Sequence, residues 1–133
     1  MIPADIGGLE SDPLTTMNVV ETIATADGAA GWNLMIGTTY GLWASRLGDQ
    51  AAREVFGDPQ SVVAGALRPS GKARSVRGGF VATGRWPFAS GILHSTWWLS
   101  NCIVYDRDSP KVGTKGSPET RLVFFPCKSG RAY

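Results

Sequence analysis

The chain has 133 residues, 43% of them hydrophobic and 18% charged, with a formal net charge of +2. That size and balance describe one ordinary globular domain and exclude a disordered or strongly polyionic chain. No apolar run is long enough to span a membrane, and a single His beside two Cys leaves no basis for a Cys/His metal centre.

The opening MIPADIGGLE lacks the basic start and apolar run of a secretion signal, so a cytoplasmic location is expected. Asp12-Pro13 sets a capping side chain before proline at the first helical position. Leu14, Met17, Val20 and Ile23 follow at near-helical spacing and form one apolar stripe, which Asp27-Gly28 ends. A second helix is expected over about 30–47. It is apolar on several sides (Trp32, Leu34, Met35, Ile36, Leu42, Trp43), which predicts that it is largely buried. Gly31, Gly37 and Gly41 weaken it as a helix and imply that something packs closely there. Gly48-Asp49 stops it and caps a short helix over 50–56, and Gly57-Asp58-Pro59 closes the helical half.

The second half changes character. Residues 61–67 read as a strand, Pro69-Ser70-Gly71 as a turn, and Gly78-Gly79 as a hairpin position before a strand over 80–83. The stretch GRWPFASG, residues 84–91, sets Trp86 and Phe88 around a proline that cannot donate to a ladder. It is either a tight turn with an apolar plug or a platform for something flat, with Ser90 as the polar contact. A long strand over 96–105, a polar loop over 106–119 and a last strand over 120–125 follow. Pro126 and the GRAY ending add no closing element. Three helices and about five strands do not obviously close, so the sheet edges need cover from the helices or from elsewhere.

Charge is unevenly spread. Residues 1–67 carry a net −6 and residues 68–133 a net +8. The halves either attract one another, or the basic half meets an anion such as a phosphate-bearing cofactor. Nucleic acid fits less well, because the cations are scattered and no nucleic-acid motif accompanies them. Cys102 and Cys127 sit in apolar runs without CxxC spacing and read as buried reduced thiols. Ser70 and Ser90 are hydroxyls in unusual contexts, but neither lies in a G-x-S-x-G elbow. His94 reads as a structural hydrogen-bonder rather than the base of a triad. Trp86, Trp97 and Trp98 read first as core or interface residues, with a cofactor wall as the lesser reading. Gly7-Gly8 is a turn, and no P-loop or G-x-G-x-x-G is present.

The order of these pieces resembles the acyl-CoA dehydrogenase superfamily, most closely its flavin-dependent monooxygenase branch of aromatic hydroxylases. IPADIGGLESD is similar to that family's entry segment, and ETIATADGAAGWNLMIG to its N-terminal helices. VVAGALRPSGKA is similar to the first strand and turn of its middle β-domain. GGFVATGRWPFASGILHSTWW is similar to the next hairpin, with the G-x-W-x-F-x-S-G-x-x-H-x-x-W pattern of the monooxygenase branch.

The resemblance implies an α+β fold: a partial helical domain over 1–59, then part of an antiparallel, barrel-like middle β-domain over 60–133. It implies a flavin-dependent oxidoreductase, either dehydrogenase or monooxygenase, with FAD or reduced FMN as cofactor. The implied cofactor residues are Phe88, Ala89 and Ser90 beside the ring, with Ser90 near its N5/O4 edge, and Leu67, Pro69 and Ser70 facing the pyrimidine side. An apolar wall there would exclude water, and fixed donors would tune the reduced ring. The implied partners are an acyl-CoA or aromatic substrate and a flavin reductase or electron-transfer flavoprotein. Neither nucleic acid nor membrane is implied, and a homo-oligomer is implied only for a full-length form. Two departures stand out. The stretch MIGTTYGL lacks the His that aromatic hydroxylases often carry there, and the family's C-terminal helical bundle has no counterpart. The sequence therefore looks like an internal fragment or truncated gene product that is inactive by itself, at most a partial flavin-binding or interaction module.

Overall fold

A computed structural model describes residues 1–127; the GRAY ending lies outside the described residues. After a short 3-10 turn at Ala4–Ile6 come three helices, α1 (Pro13–Ala26), α2 (Gly28–Gly41) and α3 (Asp49–Phe56). Five strands follow: β1 (Val63–Val76), β2 (Gly79–Thr83), β3 (Trp97–Asp106), β4 (Ser109–Pro110) and β5 (Thr120–Pro126). The chain is α+β, as the resemblance implied.

The caps act as their side chains dictate. Asp12 Oδ1 accepts from the Thr15 backbone N–H at 3.0 Å, and Oδ2 accepts from the Thr15 hydroxyl at 2.6 Å. These bonds stabilise the ionised carboxylate and hold its pKa below the usual value, the hydroxyl bond contributing most. Asp27 serves both helices. Its N–H closes α1 on the Ile23 carbonyl at 2.9 Å, while its Oδ1 accepts from Ala29 and Ala30 N–H at 2.8 and 3.2 Å. The reversal therefore takes a single residue, and α1 and α2 pack as a tight pair. Gly31 permits this, because a Cβ there would sit 2.4 Å from the Ala24 Cβ.

The second helix departs from expectation twice. It ends at Gly41, followed by a separate 3-10 turn at Ala44–Arg46, instead of running to Leu47. It is also not largely buried: only Gly31, Tyr40 and Gly41 are, and Trp32 remains 53% exposed. All-round apolarity predicts burial only when neighbours stand on every side, and among the described residues α2 packs on α1 and the sheet while its remaining surface, with Trp32, stays open.

The hydrophobic cluster lies between α3, the end of α2 and one face of the sheet. Tyr40, Ala44, Ala52, Val55, Phe56, Val63 and Leu99 form it with Ile6. Phe124 of β5 closes it edge-on to Phe56, with centroids 6.1 Å apart. Leu99 is 0% exposed, and burial of that side chain alone is worth about 2 kcal/mol.

The sheet order is β2-β1-β3-β4, with β5 also on β3. The β1–β2, β3–β4 and β3–β5 pairs are antiparallel, but β1 and β3 run parallel, so the sheet is mixed rather than wholly antiparallel. It is not closed. Gly78 makes the β1–β2 turn with φ 86°, as the hairpin reading required.

Pro69-Ser70-Gly71 is not a reversing turn. β1 continues through it in the same direction, with a bulge: Ala66 pairs with Ser100 and Gly71 with Cys102, so residues 67–70 stand opposite Asn101 alone. Proline is tolerated because a bulge asks for no ladder donor. The polar loop over 106–119 also holds more order than expected, with β4 pairing to β3 and a bridge between Val112 and Pro118. Glu119 ties it down, with Lys111 at 2.9 Å and Arg121 at 2.5 Å. Its carboxyl is held below the usual value, first by the Lys111 hydrogen bond.

Candidate functional site

The bulge and GRWPFASG form one structure. On β3, Trp98, Ser100, Cys102 and Val104 share the face opposite Leu99, and their register partners on β1 are Ala64, Ala66, Gly71 and Ala73. A row of such small residues leaves a shallow trough on that face. Residues 84–91 run along this trough as a strap, from Gly71 towards Ala64.

Trp86 pins the near end. A Cβ on Gly71 would sit 2.2 Å from Trp86 Cζ2, and one on Gly84 would sit 2.9 Å from the same atom. Both glycines are therefore required by the indole lying across them. Its Nε1 donates to the Asn101 carbonyl at 3.2 Å, and its ring packs on Phe125 with centroids 6.0 Å apart. Gly91, with φ 77°, pins the far end: a Cβ there would meet Asn33 Oδ1 of α2 at 2.9 Å and the Ala64 Cβ at 3.7 Å. Asn101 braces the bulge, its Nδ2 donating to the Leu67 carbonyl at 3.0 Å, while its Oδ1 is buried without a partner.

The predicted site residues lie on these two pieces. Leu67, Pro69 and Ser70 are exposed on the bulge, and Ser70 Oγ makes only a long 3.5 Å contact with the Arg68 carbonyl. Phe88 has φ 61° and is 96% exposed. A left-handed conformation in a bulky residue is strained, and here it gains no internal packing. Ala89 and Ser90 are half-buried, and the Ser90 N–H donates to the Phe88 carbonyl at 3.0 Å. The Ser90 hydroxyl makes no hydrogen bond among the described residues. Because Gly84 lies against Gly71, the stem of the strap stands beside the bulge.

Trp86 is thus the anchor of the strap rather than part of an exposed face, and Phe88 is what the strap presents. His94 is exposed and its ring makes no hydrogen bond among the described residues, so it is not the structural hydrogen-bonder expected. Cys102 is buried, which pushes its thiol up to about 11. Cys127 is only half-buried, with its Sγ 3.2 Å from Ser95 Oγ. Asn101 was missed in the sequence, because nothing local marks an Asn in an apolar strand as the brace of a bulge 34 residues away.

A groove of about 450 Å³ opens on the other face between Trp43, Leu67, Asn101, Thr120, Arg121 and Leu122. Leu67 and Asn101 therefore border both the bulge and this groove. A flavin fits the strap chemically, which offers an outward apolar side chain, Phe88, and an uncommitted hydroxyl, Ser90. The described residues contain no group of His, Cys, Asp or Glu able to hold a metal ion, and none of their helices is long and apolar enough to cross a membrane.

No protein-family model matches the chain. It is 36% identical over 94 residues to indole-3-acetate monooxygenase of Pseudomonas putida, covering 70% of this chain and 24% of that protein. It is 30% identical over 96 residues to the oxygenase subunit HsaA, a flavin-dependent monooxygenase of Rhodococcus jostii, covering 71% and 25%. Its fold superposes on XiaF from Streptomyces, solved in complex with FADH2 and glycerol, with TM-score 0.80 and 28% identity over 95% of this chain and 31% of that one. The chain thus spans about a quarter to a third of the length of these proteins.

Proposed function

We propose that this chain, a homologue of part of the flavin-dependent monooxygenases built on the acyl-CoA dehydrogenase fold, supplies one wall of a flavin site in an aromatic hydroxylase. The observation that carries this is the strap, which holds a strained Phe88 outward beside a hydroxyl without a partner. Reduced FAD or FMN would supply the electrons and the oxygen-activating chemistry.

The chain's own residues then act as follows. Phe88 and Ala89 would lie against the ring and keep water from its face. Ser90 Oγ would hydrogen-bond the ring's polar edge, and Leu67, Pro69 and Ser70 would border its pyrimidine side. Trp86 and Asn101 touch no ligand and position these groups. The monooxygenase relatives favour an aromatic substrate over an acyl-CoA, and the subunit organisation of HsaA favours a separate flavin reductase over an electron-transfer flavoprotein. In this reading 1–59 and 60–133 are parts of two domains that share one hydrophobic cluster, and the protein works in the cytoplasm.

The test is titration of riboflavin with the protein, followed by flavin fluorescence. Ser90→Ala removes one hydrogen bond to the ring and should weaken binding by roughly tenfold, the worth of a bond of about 1.4 kcal/mol. Identical affinities for the two proteins would remove Ser90 from the site. Absence of any binding would remove the flavin wall.

A further inference from the structure

The sheet has two long outer strands, β5 and β2, and their open edges differ. β5 carries Arg121 and ends at Pro126, and both a charge and a proline discourage a further strand from joining. β2 runs Gly79-Phe80-Val81-Ala82-Thr83 and carries neither. Among the described residues it pairs with β1 alone, so its outer backbone groups have no sheet partner there. Phe80 and Val81 are exposed, as is Val76 on the other arm of the hairpin. The β1–β2 ladder runs on to Val76 and Gly79, whereas β3 leaves β1 at Arg74, so the end of the ribbon projects past β3.

The charge around this edge is one-sided. Between Pro59 and Tyr105 the chain has no acidic residue and five cations, Arg68, Lys72, Arg74, Arg77 and Arg85. Lys72 and Arg74 of β1 are engaged on the β3 side. Lys72 Nζ lies 5.0 Å from the Tyr105 ring centroid, and Arg74 meets Asp108 at 3.4 Å. Arg77 and Arg85 are exposed and make no ion pair among the described residues. They bracket β2, Arg77 standing two positions before Gly79 and Arg85 two positions after Thr83.

This bracket selects against a second copy of the chain. Two β2 strands pairing antiparallel about Val81 would set Arg77 of each copy opposite Arg85 of the other, and parallel pairing would set each arginine beside its own counterpart. Like charges directly opposite destabilise a ladder. An extended segment with a carboxylate at each end meets a cation at each end instead.

We propose that the outer edge of β2 docks an extended segment of a partner protein, apolar in the middle and acidic at both ends, which joins the sheet as a further strand. The backbone of 79–83 supplies the ladder, Phe80 and Val81 supply the apolar contacts, and Arg77 and Arg85 fix the register.

The experiment uses three fluorescein-labelled peptides: Glu-Thr-Val-Tyr-Val-Thr-Glu, the same peptide with lysine at both ends, and the acidic peptide with proline at every second position. Anisotropy gives the affinities, and NMR follows the amides of 79–83. The acidic peptide should bind about tenfold more tightly than the lysine peptide, with the margin shrinking as salt rises. The 79–83 amides should gain exchange protection. Arg77→Glu/Arg85→Glu should reverse the preference, and that reversal also shows that the variant is folded. Arg53→Glu, a charge control on α3, should keep the preference. Equal binding of the acidic and lysine peptides, or binding of neither, overturns the proposal. Equal binding of the proline peptide also overturns it, because charge attraction would then act without strand pairing. A dimer in sedimentation that protects the 79–83 amides gives the edge to a second copy and overturns the acidic partner.

Discussion

The α1–α2 pair and the sheet with α3 are built from similarly apolar sequence and meet opposite fates. Residues 13–41 contain only two charged side chains, Glu21 and Asp27, yet α1 buries none of its residues and its Met17 is 68% exposed. Leu99, Ala73 and Cys102 in the sheet are fully buried. Apolar composition thus says what would gain from burial. What is buried depends on what else the topology brings to that face. In the sheet, β1, β3 and β5 lie side by side with α3 over the Leu99 face and the Trp86 strap over the other, so each apolar residue has neighbours from several segments. In the helical pair each residue has one neighbouring helix at most.

The sharpest test of this difference is a pair of truncations. Leu99→Ala leaves a cavity at the centre and should cost about 3 kcal/mol in urea unfolding. Met17→Ala, equally apolar in sequence, should stay within about 0.5 kcal/mol. Similar costs at the two sites would break the comparison.

A second pair uses glycines. Gly71→Ala drives a methyl into the Trp86 indole and should destabilise by roughly 1–3 kcal/mol, with loss of the Trp86 environment in tryptophan fluorescence. Gly37→Ala, mid-α2 with open space around it, should stabilise by up to about 1 kcal/mol. A destabilising Gly37→Ala would mean that the helical pair is more tightly enclosed than the structure shows.

The smallest effect expected is in acid. Asp12 caps α1 and Glu119 pins the loop beside β3, and each carboxyl is held below its usual value. A lowered carboxylate pKa means stabilisation that is present above the usual carboxylate range and lost as pH falls through the lowered value. Amide exchange followed by NMR should therefore show both the start of α1 and the 111–119 loop opening as pH drops below about 4, with the Leu99 region still protected. Asp12→Asn should leave α1 with a cap that no longer responds to pH. Unchanged acid sensitivity in that variant would assign the opening to another group.

Much of this was legible in the sequence where the signal is local. Asp12-Pro13 and Asp27-Gly28 mark helix boundaries because a capping side chain acts within three residues, and Gly48-Asp49 marks the start of α3 without a side-chain cap. The strands over 80–83, 96–105 and 120–125 were found from β-branched and aromatic residues, to within a residue or two. Pro69-Ser70-Gly71 misled because turn chemistry and bulge chemistry use the same residues. The strands on either side must be seen paired before the two can be told apart. His94 misled because residue type alone does not place a ring in contact with a partner.

By itself, then, the sequence determined the two-part order of helices and strands, the caps, the hairpin turn, the acid-free basic stretch and the likeness to flavin-dependent monooxygenases. Only the tertiary structure decided that β1 and β3 run parallel across a bulge braced by Asn101. It alone decided that Trp86 turns inward onto Gly71 and Gly84 while Phe88 turns outward. Caps and turns depend on atoms a few bonds apart in the chain. Pairing, burial and the approach of Gly84 to Gly71 depend on segments that only folding brings together.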